Sequence, residues 1–242
     1  MARIAVYSSK GGVGKTTLAV NLAWAAATLS SRRTLLWDLD AQAGASFILR
    51  PDRPAGDEAR AVIERDLAPR KLIVATGIPN LDLLPADASL RTLDLLFAEI
   101  DSKKRLLRIS EALDKSYDRI VIDCPPGLGV TAEQIIRGAS LILLPMIPST
   151  LSGRAADELV RHLGSRKGAP PVMPVFNMVD RRRLAHRAAL DAAPALHAVP
   201  MTSLVEQMAD RHAPVGVYAR RAPVSEAIAA LWQDVERRVT AV

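Results

Sequence analysis

Eight residues near the start of the chain, Lys10, Gly11, Gly12, Val13, Gly14, Lys15, Thr16 and Thr17, follow directly on an alternating apolar segment. Residues 2–6, with Ile4 and Val6 apolar, have the pattern of a buried strand. From Lys15 onward Leu18, Leu22, Ala25 and Leu29 recur at helical spacing. A strand, a glycine-rich turn and a helix N-terminus in that order leave backbone N–H groups converging on one point, and the helix dipole adds positive potential there. Such a cradle takes phosphate. Gly11, Gly12 and Gly14 let the backbone come close to a ligand, where a Cβ would intrude or the required φ would be strained. Lys15 then reaches the β- and γ-phosphates of a nucleotide, and the Thr16 hydroxyl is placed for Mg²⁺.

The remaining composition narrows the class. A chain of 242 residues, 49% hydrophobic and 24% charged, suits one α/β domain over residues 1–242 with ample core. The longest aliphatic run, residues 141–144, is the size of a strand and not of a membrane span. The N-terminus enters a strand at once, so no signal peptide is expected. The lone cysteine, Cys124, has no internal disulfide partner and suits a reducing cytoplasm. It lies in an apolar strand end, where a small buried residue is expected rather than a reactive thiol. A formal net charge of +6 and a sequence pI of about 9.8 favour polyanionic partners.

Along the chain, residues 34–37 form a second buried strand that runs into Asp38, Leu39, Asp40, Ala41 and Gln42. Carboxylates at the C-terminal edge of a strand sit where open α/β sheets bind ligands. Alternation puts Asp38 and Asp40 on one side if the strand continues; loop carboxylates serving as caps are the alternative. Residues 50–69 are rich in Pro, Asp and Arg, with a short surface helix expected over 57–67. A strand follows at 81–84, then helices over 89–100 and 103–113. Residues 119–123 are a β-branched run ending in Asp123, and Pro125 and Pro126 stop the ladder. Further strands are expected at 140–145, 172–176 and 196–200, with helices at 151–163 and 224–239. There is no internal repeat, low-complexity tract or linker. The expected fold is a doubly wound, mostly parallel sheet flanked by helices.

Ser9 stands where the ordinary P-loop spacing has glycine, and Lys10 adds a second lysine ahead of the glycines. This variant resembles the deviant Walker A motif of the ParA/MinD family of P-loop ATPases. Residues 38–42 resemble the family's Asp-x-Asp-Pro-Gln signature with Ala41 replacing proline, and residues 119–129 resemble its Walker B strand and switch II. The resemblance covers nearly the whole chain, with the three motifs in order. It implies ATP and Mg²⁺ as cofactors and a weak, partner-stimulated hydrolysis of ATP to ADP and phosphate. Lys10 would reach across an ATP-sandwich homodimer to the partner's phosphates, Lys15 would hold the phosphates, and Asp40 would orient or deprotonate the attacking water. Thr16, Asp40 and Asp123 would surround Mg²⁺, Asp123 through water. Residues 126–129 would feel the γ-phosphate, Asn177 would contact adenine, and Pro200 and Met201 would line the base pocket. The dimer would bind DNA without sequence preference. A ParB-like or other adaptor would stimulate hydrolysis while a plasmid, chromosome or protein assembly is positioned over the nucleoid.

Basic residues gather late: Arg154, Arg161, Arg166 and Lys167, then Arg181, Arg182, Arg183 and Arg187, then Arg211, Arg220 and Arg221. Residues 181–183 lie in a loop leading into a helix, where guanidinium groups and backbone amides can meet phosphates. Arg181, Arg182, Arg183, Arg187, Arg220 and Arg221 are the DNA-contact candidates, with a merely solvated basic face as the alternative. No helix-turn-helix precedes the P-loop, so base-specific reading is not expected. The arginines that many relatives carry after the last-strand proline are replaced here by Met201, Thr202, Ser203 and Leu204.

Two other functions share these motifs. A MinD-like membrane-cycling regulator would end in an amphipathic anchor. Here the terminal helix mixes Asp234 and Glu236 with Arg237 and Arg238, which suits packing against the sheet and no membrane contact. A metabolic enzyme of the same fold is the other: the nitrogenase reductase branch needs cluster cysteines, and ligases of the dethiobiotin synthetase type lack the second lysine.

Overall fold

The apolar runs of the sequence become strands covered on both faces, which is why they are nearly continuous rather than alternating. In the computed structural model, which describes residues 1–50, 52, 58–64, 68–99, 104–164 and 168–241, the strands are β1 (Ala2–Val6), β2 (Thr34–Asp38), β3 (Val74–Ala75), β4 (Leu81–Leu84), β5 (Arg119–Asp123), β6 (Leu141–Met146), β7 (Val172–Val179) and β8 (His197–Pro200). They form one sheet in the order β3-β4-β2-β5-β1-β6-β7-β8. Every neighbouring pair is parallel except β3 with β4. The C-terminal ends of β1, β2, β5, β6, β7 and β8 therefore share one edge.

The helices are α1 (Lys15–Leu29), α2 (Gly44–Leu49), α3 (Ala59–Glu64), α4 (Leu93–Glu99), α5 (Arg105–Glu111), α6 (Val130–Gly138), α7 (Thr150–Gly164), α8 (Leu184–Ala192), α9 (Ser203–Glu206), α10 (Met208–Arg211), α11 (Val215–Tyr218) and α12 (Pro223–Thr240). The strand period of two sorts neighbouring side chains to opposite faces. Ile4, Val6 and Leu36 pack with α1 and α12, whereas Ala5 and Leu35 pack with α3 to α6. This is the doubly wound arrangement expected from the sequence.

The terminal helix packs as its mixed charge implied. It buries Val224, Ile228, Leu231, Trp232 and Val235, and the Trp232 indole donates to Ser30 Oγ at 2.8 Å. Glu236 on its flank accepts from Arg119 at 2.7 Å and from Arg32 at 2.7 Å. Each fully buried side chain of this size stabilises by about 1.5–3 kcal/mol, so release of α12 from the sheet would cost far more than an exposed anchor would. Among the described residues no helix is long and apolar enough to cross a membrane.

Several local expectations shift. The stretch 89–100 opens with a 3₁₀ turn, Ala88–Thr92, capped by the Asp87 carboxylate, before α4 begins. β3, with two residues, is too short for any pattern to announce. β7 runs past position 176 to Val179, which puts Asn177 inside the strand, beside a register irregularity and a left-handed Met178 (φ 55°). Helices α2, α6, α9, α10 and α11 were not foreseen. Residues 57, 65–67, 100 and 103 of the expected helices lie outside the described residues, as do Arg166 and Lys167.

Candidate active site

β1 lies between β5 and β6 and opens at Tyr7 into the glycine loop. Gly12 (φ 70°) and Gly14 (φ 83°) occupy the left-handed region that only glycine adopts without strain. Gly14 has a second reason to lack a side chain, since a Cβ there would collide with the Asn177 amide. That amide, 3% exposed, donates to the Val13 carbonyl at 2.8 Å and fastens the loop to β7. Asn177 therefore engages the P-loop from beneath, a role its strand-end position in the sequence did not suggest. Lys15 is buried, and its ammonium donates to the Lys10 carbonyl at 3.2 Å, across the mouth of the loop. Residues 9–12 are exposed, leaving the loop open to a ligand.

Tyr7 was not singled out from the sequence. Its buried hydroxyl donates to the Gly127 carbonyl at 2.9 Å, and the Gly127 N–H donates to the Ser9 carbonyl at 3.3 Å. Burial pushes the phenol up to about 12, so it remains a donor at neutral pH. The P-loop and the turn after β5 are thus tied together.

The two carboxylates after β2 part company. Asp38 is wholly buried and accepts from the Asp40 N–H at 3.1 Å, the Ser46 N–H at 2.9 Å and the Ser46 hydroxyl at 2.7 Å. Burial pushes its carboxyl up to about 6 against the pull of these donors. Because β2 ends at Asp38, the strand alternation that would have put the two carboxylates on one side does not carry on to Asp40. Asp40 sits in the next turn, half-buried, its Oδ1 accepting from the Gln42 N–H at 2.9 Å. It lines a cavity of about 210 Å³ between this turn, α4 and Pro125–Pro126.

Asp123 lies opposite Asp38 in the β2–β5 register. It is wholly buried, and neither carboxylate oxygen has a hydrogen-bond partner among the described residues. Burial first, and then the charge of Asp38, push its carboxyl well above the ordinary range. The Thr16 hydroxyl and the Lys15 ammonium oppose that shift, Thr16 from nearby but without a hydrogen bond of normal geometry. An ionised, unpartnered carboxylate in such a place costs on the order of several kcal/mol, and a proton or a cation would offset it. Among the described residues no group of three or more His, Cys, Asp or Glu could hold a metal alone. One carboxylate and one hydroxyl beside a phosphate cradle match the habit of Mg²⁺, which keeps waters and shares itself with phosphate oxygens. Cys124 is fully buried, which raises its thiol pKa far from reactivity.

The base candidates lie at the end of β8, and Arg181 follows directly on the end of β7 and Asp180. Met201 is 61% exposed, and its N–H donates to Val179 at 3.0 Å, beside the end of β8 at Pro200. Arg181, Arg182, Arg183 and Arg187 are exposed at the end of β7 and on α8, and Arg220 and Arg221 are exposed between α11 and α12. Arg182 pairs with Asp180 at 2.9 Å, which holds that carboxyl down at about 2.

Comparison with known proteins agrees with this geometry. The sequence model of one protein family, described as an AAA domain, matches residues 1–167. The sporulation initiation inhibitor protein Soj of Bacillus subtilis is 34% identical over 145 residues, covering 59% of this chain and 57% of that protein. This chain thus matches little more than half of Soj's length. The chromosome partitioning protein ParA of Caulobacter vibrioides is 30% identical over 190 residues, covering 74% of this chain and 70% of that one. Among solved structures, a cobyrinic acid a,c-diamide synthase from Mycobacterium smegmatis with bound ATP analog and magnesium superposes with a TM-score of 0.81 at 25% identity, covering 98% of this chain and 94% of that one. With the family model matching residues 1–167 and the P-loop, Asp40 turn and Asp123 strand gathered at one sheet edge, the chain belongs to the ParA/MinD family of P-loop ATPases.

Proposed function

We propose that residues 1–242 form a single ATPase domain that binds Mg²⁺–ATP, pairs with a second copy, holds DNA without sequence preference and positions cargo over the nucleoid. The observation that carries the nucleotide reading is Asp123, a buried carboxylate beside Thr16 and Lys15 with no hydrogen-bond partner among the described residues. Thr16, Asp40 and Asp123 would hold Mg²⁺, which when bound would supply positive charge against the phosphate oxygens. The P-loop N–H groups and Lys15 bind and orient the phosphates, and Asp40 orients or deprotonates water from the cavity side. Lys10, exposed at the lip of the loop, is free to reach a partner subunit's phosphates. Asn177 holds the loop, while Pro200 and Met201 offer a surface to the base. The amide-synthase activity named for the M. smegmatis protein is that protein's own; the second lysine favours the dimeric ATPase here.

Arg181, Arg182, Arg183, Arg187, Arg220 and Arg221 supply the DNA contacts, supported by their exposure and the +6 net charge. A ParB-like or other adaptor stimulates a weak basal rate, and the burial of α12 favours this reading over a membrane-cycling one. Nucleotide binding is the first test. Lys15→Ala should weaken binding of a fluorescent ATP analogue by ~10²-fold or more, because it removes a charge-assisted contact in a buried site. Equal affinity in wild type and variant would sink the P-loop reading.

A further inference from the structure

The switch turn, residues 124–129, is fastened at Gly127 and again just beyond its end at Thr131, and only the first fastening belongs to the P-loop. Tyr7 and Ser9 hold Gly127. At the far end Asp94, in the first turn of α4, accepts from the Thr131 N–H at 2.9 Å and from the Thr131 hydroxyl at 2.6 Å. Thr131 is 4% exposed and stands in the first turn of α6, whose N-cap, Gly129, has no side chain to satisfy the helix's free N–H groups. Asp94 is thus a cap supplied by another helix, its Oδ1 serving as the acceptor that an Asp or Asn side chain brings to a helix N-terminus. Gly129 has an ordinary φ of −70°, so backbone freedom is not its purpose. A Cβ there would run into the Asp94 carboxylate, so glycine admits the contact. Between the two fastenings Leu128 is 71% exposed.

Asp94 and Thr131 also line the 210 Å³ cavity that Asp40 faces, together with Pro125 and Pro126. Resting on the ATPase reading above, we propose that Asp94 is a positioning residue. By holding Thr131 it fixes the switch turn as the wall opposite Asp40, and so sets where that turn meets the γ-phosphate and the attacking water. It acts through Thr131 and touches no reacting atom. What the contact needs from position 94 is an acceptor of this shape, not a charge.

That distinction makes the claim testable. A displaced wall costs rate more than binding, since misplacement by about 1 Å can cost ~10²-fold. Asp94→Ala should lower kcat about tenfold, with KM for ATP unchanged within about twofold. Asp94→Asn keeps an oxygen facing Thr131 and should restore kcat to within about threefold of wild type. Hydrogen exchange supplies a readout independent of hydrolysis. Amides of residues 127–131 should exchange about fivefold faster in Asp94→Ala, as loss of a cap implies, with α1 unchanged. Unaltered exchange at 127–131, faster exchange throughout the protein, or Asp94→Asn as impaired as Asp94→Ala would overturn the proposal. A wild type that hydrolyses no ATP would overturn the ATPase reading instead, and the exchange comparison would still decide whether Asp94 holds the turn.

Discussion

Asp40→Ala should bind ATP as wild type does and hydrolyse it ~10²–10⁴-fold more slowly, the usual cost of removing a group that positions or deprotonates water. The structure separates these two effects. The turn that carries Asp40 is held by Asp38 through Ser46 and the Asp40 N–H, and by the Asp40 carbonyl accepting from Ala43 at 2.8 Å. All of these survive an alanine at position 40. Its carboxylate gives up only the bond from the Gln42 N–H, so the fold and the phosphate cradle remain while the group facing the cavity is lost. Phosphate release at saturating Mg²⁺–ATP, beside the affinity for a fluorescent analogue, reads both. A variant that hydrolyses like wild type would make Asp40 a capping residue and nothing more.

Lys10→Ala should have the other large effect. The loop uses the backbone of Lys10: its N–H donates to Ser8 Oγ at 3.4 Å, and its carbonyl accepts from Lys15 at 3.2 Å. The cradle should therefore bind nucleotide normally without the side chain. The exposed ammonium is available to a second subunit, and its loss should leave the protein monomeric with ATP by light scattering. DNA affinity should fall with it, by ~10²-fold, because one weak basic face gains greatly when coupled to another in one particle. Replacing Arg181, Arg182 and Arg183 together should give the complementary defect, a dimer that forms with ATP but holds DNA poorly. A Lys10→Ala protein that dimerises and binds DNA like wild type would contradict the sandwich arrangement.

The parts of the site readable in the sequence are those whose chemistry is local. The P-loop declares itself because strand, glycines and helix start lie within about twenty residues and each has its own signature. The strand ending in Asp123 is equally compact, and the mixed charge of α12 anticipated its packing. Asp38 was harder. Its burial follows from Ser46, eight positions on, closing over it, which neither alternation nor composition encodes. The adenine contact of Asn177 came from the family resemblance; that its amide also fastens the P-loop follows from the extension of β7, which the sequence did not announce. Tyr7 and Asp94 carry no pattern at all, since their partners lie 120 and 37 residues away and are met only through the sheet order. A glycine at 129 is consistent with many turns, and only the fold reveals which side chain needs the space.

The central claim is that nucleotide governs DNA binding through dimerisation, and one titration addresses it directly. Wild-type protein is titrated onto unrelated DNA duplexes with Mg²⁺–ATP and without nucleotide, at matched salt. The account predicts binding tighter by ~10²-fold or more with ATP, alike across sequences and weakening steeply as salt rises, since counterion release dominates such contacts. Equal binding with and without ATP would contradict it, because the basic face would then act without the nucleotide site.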